Sequence, residues 1–158
     1  MRSKQKLEVI LRSLEVEERG ALEEKLRIEE IADARVKGLS GLVEERTVLY
    51  SKLDDLSQSQ KRALVGGSKA VSPAEIQAFK GRINKQIEEL KVKIDKADEQ
   101  YKLARERLEL AENELLEARI GRKKVEKLLD SKKAREQVKQ EMVEERLLEE
   151  YSSGKVRN

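Results

Sequence analysis

Cysteine, histidine and tryptophan are absent from this chain, and proline and phenylalanine occur once each. Without cysteine there are no disulfides and no thiol chemistry, and without histidine the commonest general base and metal ligand is missing. Aromatic residues make up 3% of the 158 positions. A chain of this length normally builds a globular core, but here there is little bulk to fill one. No apolar run approaches the roughly 18 residues of a membrane span, and no signal-peptide core is present, so the expectation is a soluble, cytosolic protein without direct membrane insertion. The 35 basic and 32 acidic residues nearly balance, at a net charge of +3. That balance does not mark a nucleic-acid binder.

Charge is what the chain has in quantity, with 42% of residues charged. Abundant Ala, Glu, Lys, Leu and Arg are the mark of long or coiled-coil helices. Their organising interruption is Val65-Gly66-Gly67-Ser68-Lys69-Ala70-Val71-Ser72-Pro73-Ala74-Glu75-Ile76. Paired glycines can take the left-handed backbone that closes a helix C-terminus. Ser72 reads as an N-cap, Pro73 as the first helical residue, and Glu75 as the far half of a capping box. Val71 and Ile76 hold the two positions of a hydrophobic staple. A stop and a start within about eight residues reverse the chain.

The predicted fold is therefore all-α: two long helices in an antiparallel coiled-coil hairpin, forming one domain over 1–158. Helix 1 is expected over about 3–64, the turn over 65–72, helix 2 over about 73–151, and a frayed tail over 152–158. At about 1.5 Å per residue, the arms would measure roughly 90 and 115 Å. The first arm has one seam through Leu7, Leu14, Ala21, Ile28, Arg35, Leu42, Leu49 and Leu56, and another through Leu11, Glu18, Lys25, Ala32, Leu39, Arg46 and Leu53. In the second arm Ile83, Leu90, Ala97, Ala104, Ala111, Ala118 and Val125 form one seam. Ile87, Ile94, Tyr101, Leu108, Leu115, Arg122 and Leu129 form the other, and thirteen of the fourteen positions are apolar. This is a coiled-coil pattern.

Folding about the turn pairs residue i with roughly 138 minus i. That register sets Gly38 near Tyr101 and Gly20 near Ala118 and Gly121, large opposite small. It also leaves the second arm projecting about a dozen residues beyond the N-terminus. Gly20, Gly38 and Gly41 each cost about 1 kcal/mol inside a helix, making Gly38-Leu39-Ser40-Gly41 the candidate for a kink, or for a break into two helices. Heptads do not count strands, so a dimer or trimer of straight chains competes with the hairpin; the capped turn favours a monomeric hairpin.

No catalytic constellation emerges. Gly66-Gly67 followed by Lys69 lacks the spacing of a phosphate-binding loop. Acidic pairs such as Glu17-Glu18 and Glu149-Glu150 read as solvated helix faces, since a two-helix hairpin offers no pocket to desolvate them. No enzyme, cofactor or metal is expected. Basic residues do cluster: Arg119, Arg122, Lys123, Lys124, Lys127, Lys132, Lys133, Arg135 and Lys139 face only Glu126, Asp130 and Glu136 over residues 119–139. The antiparallel register adds Arg2, Lys4, Lys6 and Arg12. The last turns reverse sign, with Glu141, Glu144, Glu145, Glu149 and Glu150 against Arg146. Such a collar serves solubility and local ion pairing, or steers docking to an acidic partner. It has no interleaved aromatics for base stacking, so nucleic acid is not the expected partner. Phe79 stands four residues before Ile83, either capping the core along the line of Ile83, Ile87 and Leu90 or forming an exposed apolar tip.

Four stretches carry a family resemblance. Lys6-Leu7-Glu8-Val9-Ile10-Leu11-Arg12 with Glu15, Glu17 and Glu18, then Glu75-Ile76-Gln77-Ala78-Phe79 through Ile83 and Ile87, follow in order. After them come Arg122-Lys123-Lys124-Val125-Glu126-Lys127-Leu128-Leu129 and Glu144-Glu145-Arg146-Leu147-Leu148-Glu149-Glu150. Together they resemble the small coiled-coil stalk proteins of bacterial type III export, called FliJ in flagella and YscO or SctO in injectisomes. Glu149 stands where the family usually has Asp, and Gln86 and Leu90 depart from its pattern.

The resemblance implies a non-enzymatic hairpin similar to the central stalk of rotary ATPases. It would insert its termini-proximal part into a hexameric export ATPase, stimulate hydrolysis, and link the ring to the cytoplasmic part of the export-gate membrane protein. Phe79 and Ile83 match the family's gate contact. The collar residues Arg122, Lys123, Lys124, Lys127, Lys132, Lys133 and Arg135 are the expected ATPase contact, and substrate chaperones are a further implied partner. The implied location is cytoplasmic, peripheral to the inner-membrane export apparatus. The N-terminal stretch leans toward the flagellar branch. Two other readings stay open: a structural or scaffolding coiled coil forming dimers or larger assemblies, and a stalk subunit of a true rotary ATPase.

Overall fold

In a computed structural model, residues 2–66 and 72–156 are described, and every one of them except Ser72 is helical. Helix α1 spans Arg2–Gly66 and α2 spans Pro73–Val156. Ser72 caps α2 as its position requires. Its side-chain Oγ accepts a hydrogen bond from the Glu75 amide at 3.2 Å, and its carbonyl accepts the Ile76 amide at 3.2 Å. Pro73 follows at the first helical position, where a missing N–H costs nothing. Ile76, one half of the expected staple, is buried. Val71 and the turn over 67–71 lie outside the described residues.

The helix–helix contacts form two compact units, Met1–Lys25 with Ala111–Asn158 and Leu26–Leu110. A two-helix hairpin has no common centre, since each residue touches only those opposite it. In the first unit Arg119 and Arg122 meet Glu18, Lys132 meets Ser3 and Lys4 meets Glu136, so the helices run antiparallel. In the second unit, likewise antiparallel, Arg35 meets Gln100 and Lys80 meets Gln60. The two residue numbers of each pair total between 135 and 140, which brackets the expected register.

The seams account for the core. Ala111, Leu115 and Leu129 are buried in the first unit, and Ala32, Ile76, Ile87, Leu90 and Ala104 in the second. All fourteen seam positions of α2 are buried or half-buried, and of the α1 seam positions only Arg35 is exposed. Burying one such Leu contributes about 1.5–3 kcal/mol.

One expectation is corrected, and one of the two readings of Gly38-Leu39-Ser40-Gly41 is ruled out. Gly38 does not pack against Tyr101, nor Gly20 against Ala118 and Gly121, because a Cβ at either glycine would meet no atom within 4 Å. Gly38 directly precedes the seam residue Leu39, and one residue turns a helix by about 100°, so Gly38 faces outward. The break into two helices does not occur, since α1 runs through Gly38–Gly41 without interruption. Helix α2 itself runs as far as Val156. Ser152, Ser153 and Gly154 are weak helix formers, but no proline stops them, and an existing helix propagates one hydrogen bond per residue.

Candidate interaction surfaces

The first unit holds the basic collar, and its geometry divides the collar in two. Arg122 occupies a seam position, where a charge must find partners or stay wet. Its guanidinium hydrogen-bonds the Glu18 carboxylate through Nε, and Nη2 lies 3.5 Å from the same group. Nη1 donates to Glu126 Oε1 at 2.7 Å, one turn along α2. Arg119 Nε adds a contact to Glu18 at 3.4 Å. Hydrogen bonds to Glu18 and then Glu126 hold the Arg122 pKa above its ordinary value. Lys132 is similarly occupied, donating to Ser3 Oγ. Arg122 and Lys132 thus serve inside the hairpin, whereas Lys123, Lys124, Lys127, Lys133 and Arg135 stand exposed along the same stretch of α2.

From Gln137 to Gly154 every described side chain of α2 is exposed, and only Lys139 and Gln140 among them share a cleft with Lys4, Gln5 and Glu8 of α1. Met142, Val143, Leu147, Leu148 and Tyr151 are exposed there among the acidic residues. A five-residue apolar surface on a helix without a covering partner helix is the kind that marks an interaction site.

The second unit holds the apolar tip. Ile76 and Ile87 are buried and Ile83 is half-buried, so the seam enters α2 through Ile76. Phe79 does not continue it. The residue is 51% exposed, with the Arg82 guanidinium 5.6 Å from the ring centroid in a cation–π contact. Seven-residue spacing back from Ile83 reaches Ile76, and Phe79 falls outside that line. The core-capping role therefore belongs to Ile76, and Phe79 with the edge of Ile83 forms an accessible apolar spot.

Sequence reasoning missed Glu18. It stood on a seam that also carries Lys25 and Arg46, while Arg122 was the one charge on the α2 seams, and the predicted register set Glu18 and Arg122 almost opposite each other. That coincidence was the available signal. Among the described residues no group of three or more potential ligands could hold a metal ion, and no helix is long and apolar enough to cross a membrane.

A family model described as "Flagellar FliJ protein" matches residues 25–158. No curated protein and no solved structure matches the chain.

Proposed function

Because the chain belongs to the flagellar FliJ family, we propose that it is a non-enzymatic stalk of the flagellar protein-export apparatus, inserted in a hexameric export ATPase that it stimulates, and linked to the export gate. The single observation that supports this most is the division of the collar. Five cations stand free on one stretch of α2 while Arg122 and Arg119 lock that stretch to α1 through Glu18. A helix pair presenting a stretch of free positive charge suits the mouth of an acidic pore, where charge complementarity raises the association rate. The exposed apolar and acidic segment Glu141–Tyr151 extends the same docking surface. Phe79 and Ile83, in the other unit, supply a separate apolar contact for the gate protein. The proposed location is cytoplasmic, at the membrane-bound export apparatus.

The test is association with the export ATPase from the same genome. Lys123→Glu, Lys124→Glu and Lys127→Glu together should weaken binding by at least about tenfold at low salt and by less at high salt, as charges a Debye length apart become screened. Unchanged affinity at low salt would refute the collar's role.

A further inference from the structure

The second unit carries an open groove between α1 and α2, about 220 Å³ in volume, that neither of the surfaces above uses. Ile28, Ile31 and Arg35 line it on α1, and Gln100, Leu103 and Arg107 on α2. Ile31 and Leu103 sit on opposite lips with 47% and 59% of their surface exposed. Arg35 occupies a seam position yet is exposed, and its Nη1 donates to Gln100 Oε1 at 2.9 Å.

The charged side chains that line this groove are both cations, Arg35 and Arg107. Among the described residues, neither Arg35 nor Arg107 has a carboxylate within ion-pair distance, in a chain with 32 acidic residues. Arg119 and Arg122 in the other unit, by contrast, are both paired. Gly38 lies one heptad beyond Ile31 and so on the same face of α1. It is exposed, and a Cβ there would meet nothing within 4 Å. The groove is thus apolar on both lips and carries one arginine on each helix, and the face of α1 that it opens on has no side chain at Gly38.

We propose that this groove docks an amphipathic helix of another protein, whose apolar stripe is flanked by carboxylates. A third helix laid along two others inserts its apolar side chains between theirs, and Ile31 and Leu103 provide one contact on each side. Arg35 and Arg107 present planar donor pairs that match carboxylates in geometry as well as charge. The missing side chain at Gly38 lets the incoming helix approach closely. A second copy of this chain, offering its own acidic segment, is a poorer occupant. That contact would make the protein self-associate, into a closed dimer or ring or an open filament, which sedimentation detects.

The probe is a fluorescein-labelled, helix-stapled synthetic peptide with leucines along one face and glutamates flanking them, alongside a twin with lysine in place of every glutamate. Titrating the full-length protein and reading anisotropy should give saturable binding of the glutamate peptide only. The pair Arg35→Glu and Arg107→Glu should weaken it by about tenfold or more, as should Gly38→Leu with helicity unchanged by circular dichroism. The charge-matched control pair Lys61→Glu and Arg62→Glu, outside the groove, should leave affinity as it was. Equal binding of the two peptides, or equal loss in the control, would reduce the effect to general charge attraction and overturn the proposal. Displacement of the probe by a peptide of residues 137–156, with self-association of the protein in sedimentation, would also overturn it by making a second copy the occupant.

Discussion

Replacing Gly38 and Gly41 by alanine should make the protein more stable. Both glycines lie inside the uninterrupted helix α1 and both are exposed. A Cβ at either would meet no atom within 4 Å, so the substitution carries no steric penalty. What is left is the backbone term: glycine retains more freedom in the unfolded chain, and alanine in a helix interior is favoured by about 1 kcal/mol. Helix propensity is a per-residue backbone term, so the two gains should sum to about 2 kcal/mol. With an unfolding entropy of about 0.3 kcal/mol/K for a chain this long, the melting temperature should rise by roughly 6 °C. Urea unfolding followed by circular dichroism measures the same gain as a higher midpoint at unchanged slope. A double variant no more stable than the parent would refute the reasoning, because the glycines would then be serving a bend or a close contact within the hairpin. The same substitution at Gly38 should not improve docking in the neighbouring groove, so stability and binding are expected to separate.

Other outcomes follow from the same geometry. Leu115→Ala empties a buried seam position and should cost about 2–3 kcal/mol in urea unfolding, whereas Leu147→Ala, on the uncovered part of α2, should fall within about 0.5 kcal/mol of the parent. Glu18→Arg sets three cations against one another and should lower the melting temperature. Adding Arg122→Glu should recover most of the loss, and failure of this swap would contradict the pairing. A guanidinium whose pKa is raised contributes stability that is fully present below its ordinary pKa and is lost as pH rises from there through the raised one, so Arg122 should add no pH dependence to unfolding at neutral or mildly alkaline pH. Phe79→Ala should abolish or sharply weaken binding to the cytoplasmic part of the export gate while leaving the melting temperature nearly unchanged, as expected for a residue that is half exposed.

The fold was largely legible because a long coiled coil repeats one rule. Seven-residue spacing identified the buried side of both helices, and a single capped stop-and-start fixed the register to within a few residues. Ser72 was readable because N-capping is local chemistry. What the sequence hid were phase and pairing. Phe79 lies four residues from Ile83, which satisfies a helical contact but not the heptad, and only the structure shows Ile76 taking the buried place. The glycines of α1 suggested complementary packing because register alone fixes height along the pair, not direction around each helix. Glu18 and Arg122 each looked like a defect in a seam. Together they form a satisfied polar pair, of the kind that specifies register in coiled coils. The collar was legible as a charge cluster, but its split into bonded and free cations depends on which side of α2 each residue occupies.

The measurement that bears most directly on the stalk reading is ATP hydrolysis by the export ATPase from the same genome, titrated with this protein. The account predicts stimulation that saturates at a single chain per ring and falls away with the collar reversed. No stimulation, at concentrations where sedimentation shows a folded monomer of 18.2 kDa, would contradict it.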